Sequence, residues 1–101
     1  MSDKPNQYVA TLDIGTSTVR CIIINDRGNH VGSSTKPVTL LYPQPGYVEI
    51  EPEHLWETVL DVIKLAIKDA NIEARDITCL GISTQRCTFI TWNKKTGKHY
   101  H

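Results

Sequence analysis

The chain has 101 residues, near the commonest size for one domain and long enough to bury a core. Eleven Lys and Arg balance eleven Asp and Glu, so no net charge steers it towards nucleic acid or an anionic membrane. The hydrophobic content of 40% argues against disorder, and no apolar run approaches the roughly 20 residues that span a bilayer.

Residues 1–7 are polar and read as a flexible N-terminus without the apolar stretch of a secretory signal. Tyr8 to Ile14 and Val19 to Ile24 are β-rich runs separated by Gly15-Thr16-Ser17-Thr18. Asn25-Asp26-Arg27-Gly28-Asn29 supplies a second turn, and His30 to Thr35 a third strand, completing a meander. Pro37, Pro43, Pro45 and Gly46 forbid a long element over 36–50, leaving short extended pieces at Val38–Leu41 and Tyr47–Ile50.

A helix is predicted from Pro52, a favoured first helical residue, to a stop at Asn71. Leu55, Trp56, Val59, Ile63, Ala66, Ile67 and Ala70 recur at helical steps and form its packing face. Asp61 and Lys64 lie on the outer side, spaced to pair. Ile77 to Ser83 reads as a short buried strand, Thr88 to Trp92 as another, and 93–97 as a turn. A right-handed crossover through the helix sets the strand after it parallel to an earlier one. The segments from Asp13 to Thr18 and from Ser83 to Cys87 then both lie beyond strand ends, where open α/β sheets collect ligands.

The chemistry concentrates in Asp13-Ile14-Gly15-Thr16-Ser17-Thr18-Val19-Arg20. Asp13 can hold Mg²⁺ directly or through water, since that hard cation prefers oxygen ligands and keeps part of its hydration shell. Gly15 permits a tight turn. Thr16, Ser17 and Thr18 can donate to phosphate oxygens, with Arg20 as charge partner. The same residues suit an ordinary hairpin turn, and local composition leaves both readings open. Cys21, Cys79 and Cys87 form an odd set without metal-ligand spacing, so a reduced, cytoplasmic setting is expected, with Cys21 and Cys79 in the core. His30, His54, His99 and His101 also lack ligand spacing and are expected at the surface. Lys94, Lys95 and Lys98 read as a solvated turn.

Three motifs in order resemble the N-terminal portion of FGGY carbohydrate kinases. They are Asp13 to Arg20, then Tyr42-Pro43-Gln44-Pro45-Gly46-Tyr47-Val48-Glu49-Ile50-Glu51-Pro52 leading into Leu55-Trp56, then Gly81-Ile82-Ser83-Thr84-Gln85-Arg86. The tail from Thr88 to Lys98 fits as well, and the details are most similar to the glycerol kinase group, within it the glycerol kinase 5 branch. The resemblance runs from about Tyr8 onward, making 8–101 a partial FGGY kinase N-terminal domain. The implied fold is an α/β, ribonuclease-H-like half-domain of the actin, hexokinase and Hsp70 superfamily: a three-stranded meander, a crossover helix and further strands, truncated.

The resemblance implies an ATP-dependent kinase acting on a hydroxyl of a small polyol or sugar, with ATP and Mg²⁺ as cofactors and neither nucleic acid nor membrane as partner. A homo-oligomer is compatible with the full-length protein. By the same resemblance Asp13 lies beside the Mg²⁺–nucleotide phosphates, Thr16, Ser17 and Thr18 form the phosphate loop, and Arg20 contacts nucleotide. Gln85, Arg86 and Cys87 fall on the polyol pocket. Cys87 stands where glycerol kinases carry a glutamate, and a thiol accepts hydrogen bonds weakly, which weakens the case for glycerol itself. The family's general base and second domain have no counterpart within 101 residues, so no catalytic residue is assigned and the chain alone is expected to be inactive. The alternative is a non-catalytic truncated isoform or fragment that binds nucleotide or a partner protein.

Overall fold

The computed structural model describes residues 7–84, 92 and 94–99. Strands β1 (Tyr8–Ile14), β2 (Thr18–Asn25) and β3 (His30–Pro37) form the predicted meander, followed by helix α1 (Pro52–Ala70), a 3₁₀ turn at Ala74–Asp76, and strand β4 (Ile77–Ser83). The sheet order is β3-β2-β1-β4, with β4 parallel to β1 and the meander antiparallel. The crossover through α1 thus carries the chain from one sheet edge to the other. Most of the strand predicted at Thr88 to Trp92 lies outside the described residues; Trp92 itself forms a single bridge with His99. Residues 36–50 give one bridge, Leu41 with Glu49, where two extended pieces were expected, because the prolines between them remove ladder donors.

Alternation sets the core. Ala10 and Leu12 of β1 and Val19, Cys21 and Ile23 of β2 point to one face, where Val59, Val62 and Ala66 of α1 meet them. Burying each large aliphatic side chain contributes about 2 kcal/mol. Gly32 of β3 lets the helix approach: a Cβ there would lie 2.6 Å from the Ala66 carbonyl oxygen. Asn71 ends α1 in the left-handed conformation (φ 57°), and its N–H donates to the Ile67 and Lys68 carbonyls. Ile72 N–H then donates back to Ile67, and its side chain packs on the core, closing the helix end.

Three packing expectations are corrected. α1 packs mainly over β3 and β2, while β4 is exposed along Thr78–Ser83 and Cys79 is a surface thiol. The buried stripe of α1 centres on Val59, Val62 and Ala66, with Thr58 included, which leaves Trp56 on its flank and 60% exposed. Asp61 pairs with Lys36 of β3 at 3.3 Å, not with Lys64, because the strand brings a cation beneath the helix. Among the described residues no helix is long and apolar enough to cross a membrane.

Candidate functional site

The β1–β2 connection is tight. Gly15 N–H donates to the Thr18 carbonyl at 2.9 Å, and a Cβ on Gly15 would stand 3.1 Å from that same oxygen. Ser17 presents its carbonyl to Val38 N–H at 2.8 Å, which ties the turn to the chain leaving β3. Thr16, Ser17 and Thr18 remain exposed, and none of their hydroxyls is engaged among the described residues. They are therefore available to a ligand.

The register then assembles a row the motif does not announce. Asp13 lies directly across from Arg20 on β2 and beside Ser83 on β4, while Arg20 faces Thr35 on β3. Thr35, Arg20, Asp13 and Ser83 are thus cross-strand neighbours on the sheet face opposite α1, all exposed. One carboxylate, one guanidinium and two hydroxyls converge beside the turn, and no ion pair joins Asp13 to Arg20. Among the described residues neither charge has an ion-pair partner, so both can act on a third group. Thr35 is the member that sequence reading missed; only strand register reveals it.

The oxygen donors nearest the turn, from Asp13 and the hydroxyls of Thr16 to Thr18, match the preference of Mg²⁺. Among the described residues no three His, Cys, Asp or Glu side chains gather. A single carboxylate suits a cation held largely by water and phosphate oxygens, not an all-protein cage. Gln85, Arg86 and Cys87, assigned to substrate binding, lie outside the described residues.

A concavity opens at the same end of the molecule, where α1 begins. It has a volume of about 440 Å³ and is lined by Pro52, Glu53, Trp56, Trp92, Gly97 and His99. His99 Nε2 and Glu51 Oε1 are 2.9 Å apart, linking the 92–99 bridge to the residue that precedes the helix. His99 is therefore half-buried, contrary to the surface position expected for it. His30 and His54 are exposed as anticipated. Burial pushes the Cys21 thiol above its ordinary value through desolvation, which marks it as a packed and unreactive group.

Comparison with known proteins shows the family and the fold. Residues 8–101 match the model of the FGGY family of carbohydrate kinases, N-terminal domain. Glycerol kinase 5 of Mus musculus is 50% identical over 100 residues, covering 99% of this chain and 19% of that protein. The structure of gluconate kinase from Lactobacillus acidophilus superposes with a TM-score of 0.84 at 20% identity, over 95% of this chain and 19% of that one. That of Plasmodium falciparum glycerol kinase with ADP superposes with a TM-score of 0.79 at 23% identity, again over 95% and 19%. The chain spans about a fifth of the length of the curated relatives it matches.

Proposed function

The chain belongs to the FGGY family of carbohydrate kinases, and on that premise we propose that it supplies the nucleotide-phosphate side of an ATP-dependent kinase for a small polyol or sugar. The observation that carries this reading is the Thr35–Arg20–Asp13–Ser83 row beside three unengaged hydroxyls. Asp13 would hold Mg²⁺ through its water shell, and Thr16, Ser17 and Thr18 would donate hydrogen bonds to phosphate oxygens. Arg20, unpaired with Asp13, would neutralise charge on the same phosphates. The nucleotide supplies the transferable γ-phosphoryl and the metal screens its charge. Gln85, Arg86 and Cys87 would contact the acceptor, with the Cys87 thiol favouring a polyol or sugar other than glycerol. The setting would be cytoplasmic.

Phosphoryl transfer depends on positioning two substrates and deprotonating one of them. The assigned residues bind and neutralise, but none is an acceptor-side base. The length of the chain, a fifth of its relatives, favours binding without turnover for this polypeptide by itself. Titration of the chain with Mg²⁺–ATP, followed by amide chemical shifts, tests both parts. Shifts at Gly15 to Thr18 that weaken about 10-fold in Arg20→Ala, the loss of one charge-assisted contact, would support the assignment. Absence of shifts in a folded chain refutes it. Polyol-dependent ADP release from the chain alone would refute the second part.

A further inference from the structure

Helix α1 grips the chain on both sides of the residue that holds the phosphate turn. Pro37 lies across from Thr18 and has no N–H to give, so the first backbone donor past β3 is Val38. Its N–H donates to the Ser17 carbonyl at 2.8 Å. A planar peptide carries the Cα atoms of Ser17 and Thr18 at its two ends, so fixing this carbonyl also fixes the origin of both hydroxyl side chains. Val38 is in turn held from three directions. Its side chain packs against the core. Before it, Lys36 Nζ reaches Asp61 Oδ2 of α1 at 3.3 Å. After it, Thr39 Oγ1 and His54 Nε2, in the first turn of α1, are 3.1 Å apart. His54 is itself anchored, since its carbonyl accepts from Thr58 Oγ1 at 2.9 Å. Beyond Thr39 the chain folds back, with Leu41 and Glu49 exchanging backbone hydrogen bonds at 2.6 and 2.8 Å.

We propose that His54 is a positioning residue for the phosphate turn: through Thr39 and the Val38 N–H it holds the Ser17–Thr18 peptide, and with it the hydroxyls that face the nucleotide phosphates. The inference rests on the nucleotide-phosphate role given above and adds to it a helix residue that touches no phosphate. The turn is closed at its base by the Gly15 N–H bond to the Thr18 carbonyl, while Thr16, Ser17 and Thr18 are exposed. Hydroxyls on a loose turn lose conformational freedom when a phosphate orders them, and an anchor that orders the turn beforehand removes part of that cost. The alternative role for His54 is an exposed contact that only steadies the start of α1. Two observations favour positioning. The imidazole bonds a residue outside the helix, one step from the amide that touches the turn. The Lys36–Asp61 pair lies on the other side of that amide, so α1 clamps the segment at both ends.

Titration of the 101-residue chain with Mg²⁺–ATP, read by amide chemical shifts, is the test, with His54→Ala, Thr39→Val and His54→Gln beside the unsubstituted chain. Before nucleotide is added, the Ser17 and Thr18 amide signals should move in His54→Ala and Thr39→Val. They should return in His54→Gln, whose amide nitrogen takes the place of Nε2. His54→Ala and Thr39→Val should each weaken nucleotide binding about 5-fold, the size of one hydrogen bond. The double variant should lose no more, because both changes remove the same bond. His54→Gln should bind like the unsubstituted chain, and so should His30→Ala, which alters an exposed imidazole at the start of β3. Urea midpoints should agree throughout, since the Thr39–His54 bond is exposed. Failure of the unsubstituted chain to bind would refute the kinase reading and this proposal with it. Binding that His54→Ala leaves unchanged, unmoved Ser17 and Thr18 signals, or additive losses in the double variant would overturn this proposal alone. A loss that glutamine does not restore, or that tracks a lowered urea midpoint, would assign His54 to helix stability and overturn it equally.

Discussion

Strands β2 and β4 are made from similar letters and have opposite fates. Both carry aliphatic side chains facing the α1 layer. In the first Ile23 is fully buried under the helix; in the second Ile82 stands in solvent. The difference does not lie in the strands. It lies in the cover, because α1 packs over β2 and β3 and leaves β4 open. Hydrophobicity sets what a residue gains from burial, and the topology decides whether burial is on offer.

The comparison can be broken most sharply by identical deletions in the two strands. Ile23→Ala should cost about 3 kcal/mol of unfolding free energy, combining lost transfer energy with a cavity. Ile82→Ala should change it by less than about 0.5 kcal/mol, as for an exposed site. Urea titration of both variants at low micromolar concentration decides it, and equal losses would mean that β4 is covered. Next in size come the glycines. Gly32→Val drives a side chain into the Ala66 carbonyl and Ala70 of α1 and should destabilise by about 2 kcal/mol. Gly81→Val enters open space and should be neutral or slightly stabilising, since valine prefers a strand.

The smallest effect concerns the two thiols. Cys21 is buried with its ionisation pushed up by desolvation, whereas Cys79 is exposed. Native-state alkylation should modify Cys79 and spare Cys21, read by mass spectrometry of the peptides. Because the folded thiol of Cys21 ionises later than the unfolded one, the folded state binds the extra proton above the ordinary thiol value. Stability is therefore undiminished below about pH 9 and declines as pH rises beyond it. Cys21→Ala should flatten that alkaline decline while lowering stability at neutral pH. A decline that persists in the variant assigns it to other groups.

The meander, the helix and the parallel strand were legible because each is punctuated by local chemistry. Gly28 and the Asx residues turn β2 into β3, Pro52 opens α1, and Asn71 closes it. The bounds predicted for β1 and β4 agree with those observed, and the neighbouring strands extend by only one or two residues. Burial was less legible. Cys79 reads as core and Trp56 as packing because both are apolar at apolar positions, but neither can be judged without knowing which strands the helix crosses. For the candidate site, the phosphate loop was visible as a contiguous motif. Thr35 was invisible, since its place beside Arg20 follows from the β2–β3 register and not from any neighbour in sequence. The polyol assignment to Gln85, Arg86 and Cys87 rests on the motif.

The Thr35–Arg20–Asp13–Ser83 row takes one residue from each strand, and its last two members are 70 positions apart in the chain. Asp13, Arg20 and Thr35 can come together as soon as the meander closes, through contacts local enough to form early. Ser83 joins only after the crossover helix has been laid down and β4 has found β1. During synthesis the N-terminal segments emerge and begin to fold first. For that interval β1 presents its other side bare, and a nascent chain carries three quarters of its row before β4 is in place. Completion of the row is thus an event in time as well as in space: the last of the four residues arrives with the strand laid down after the helix.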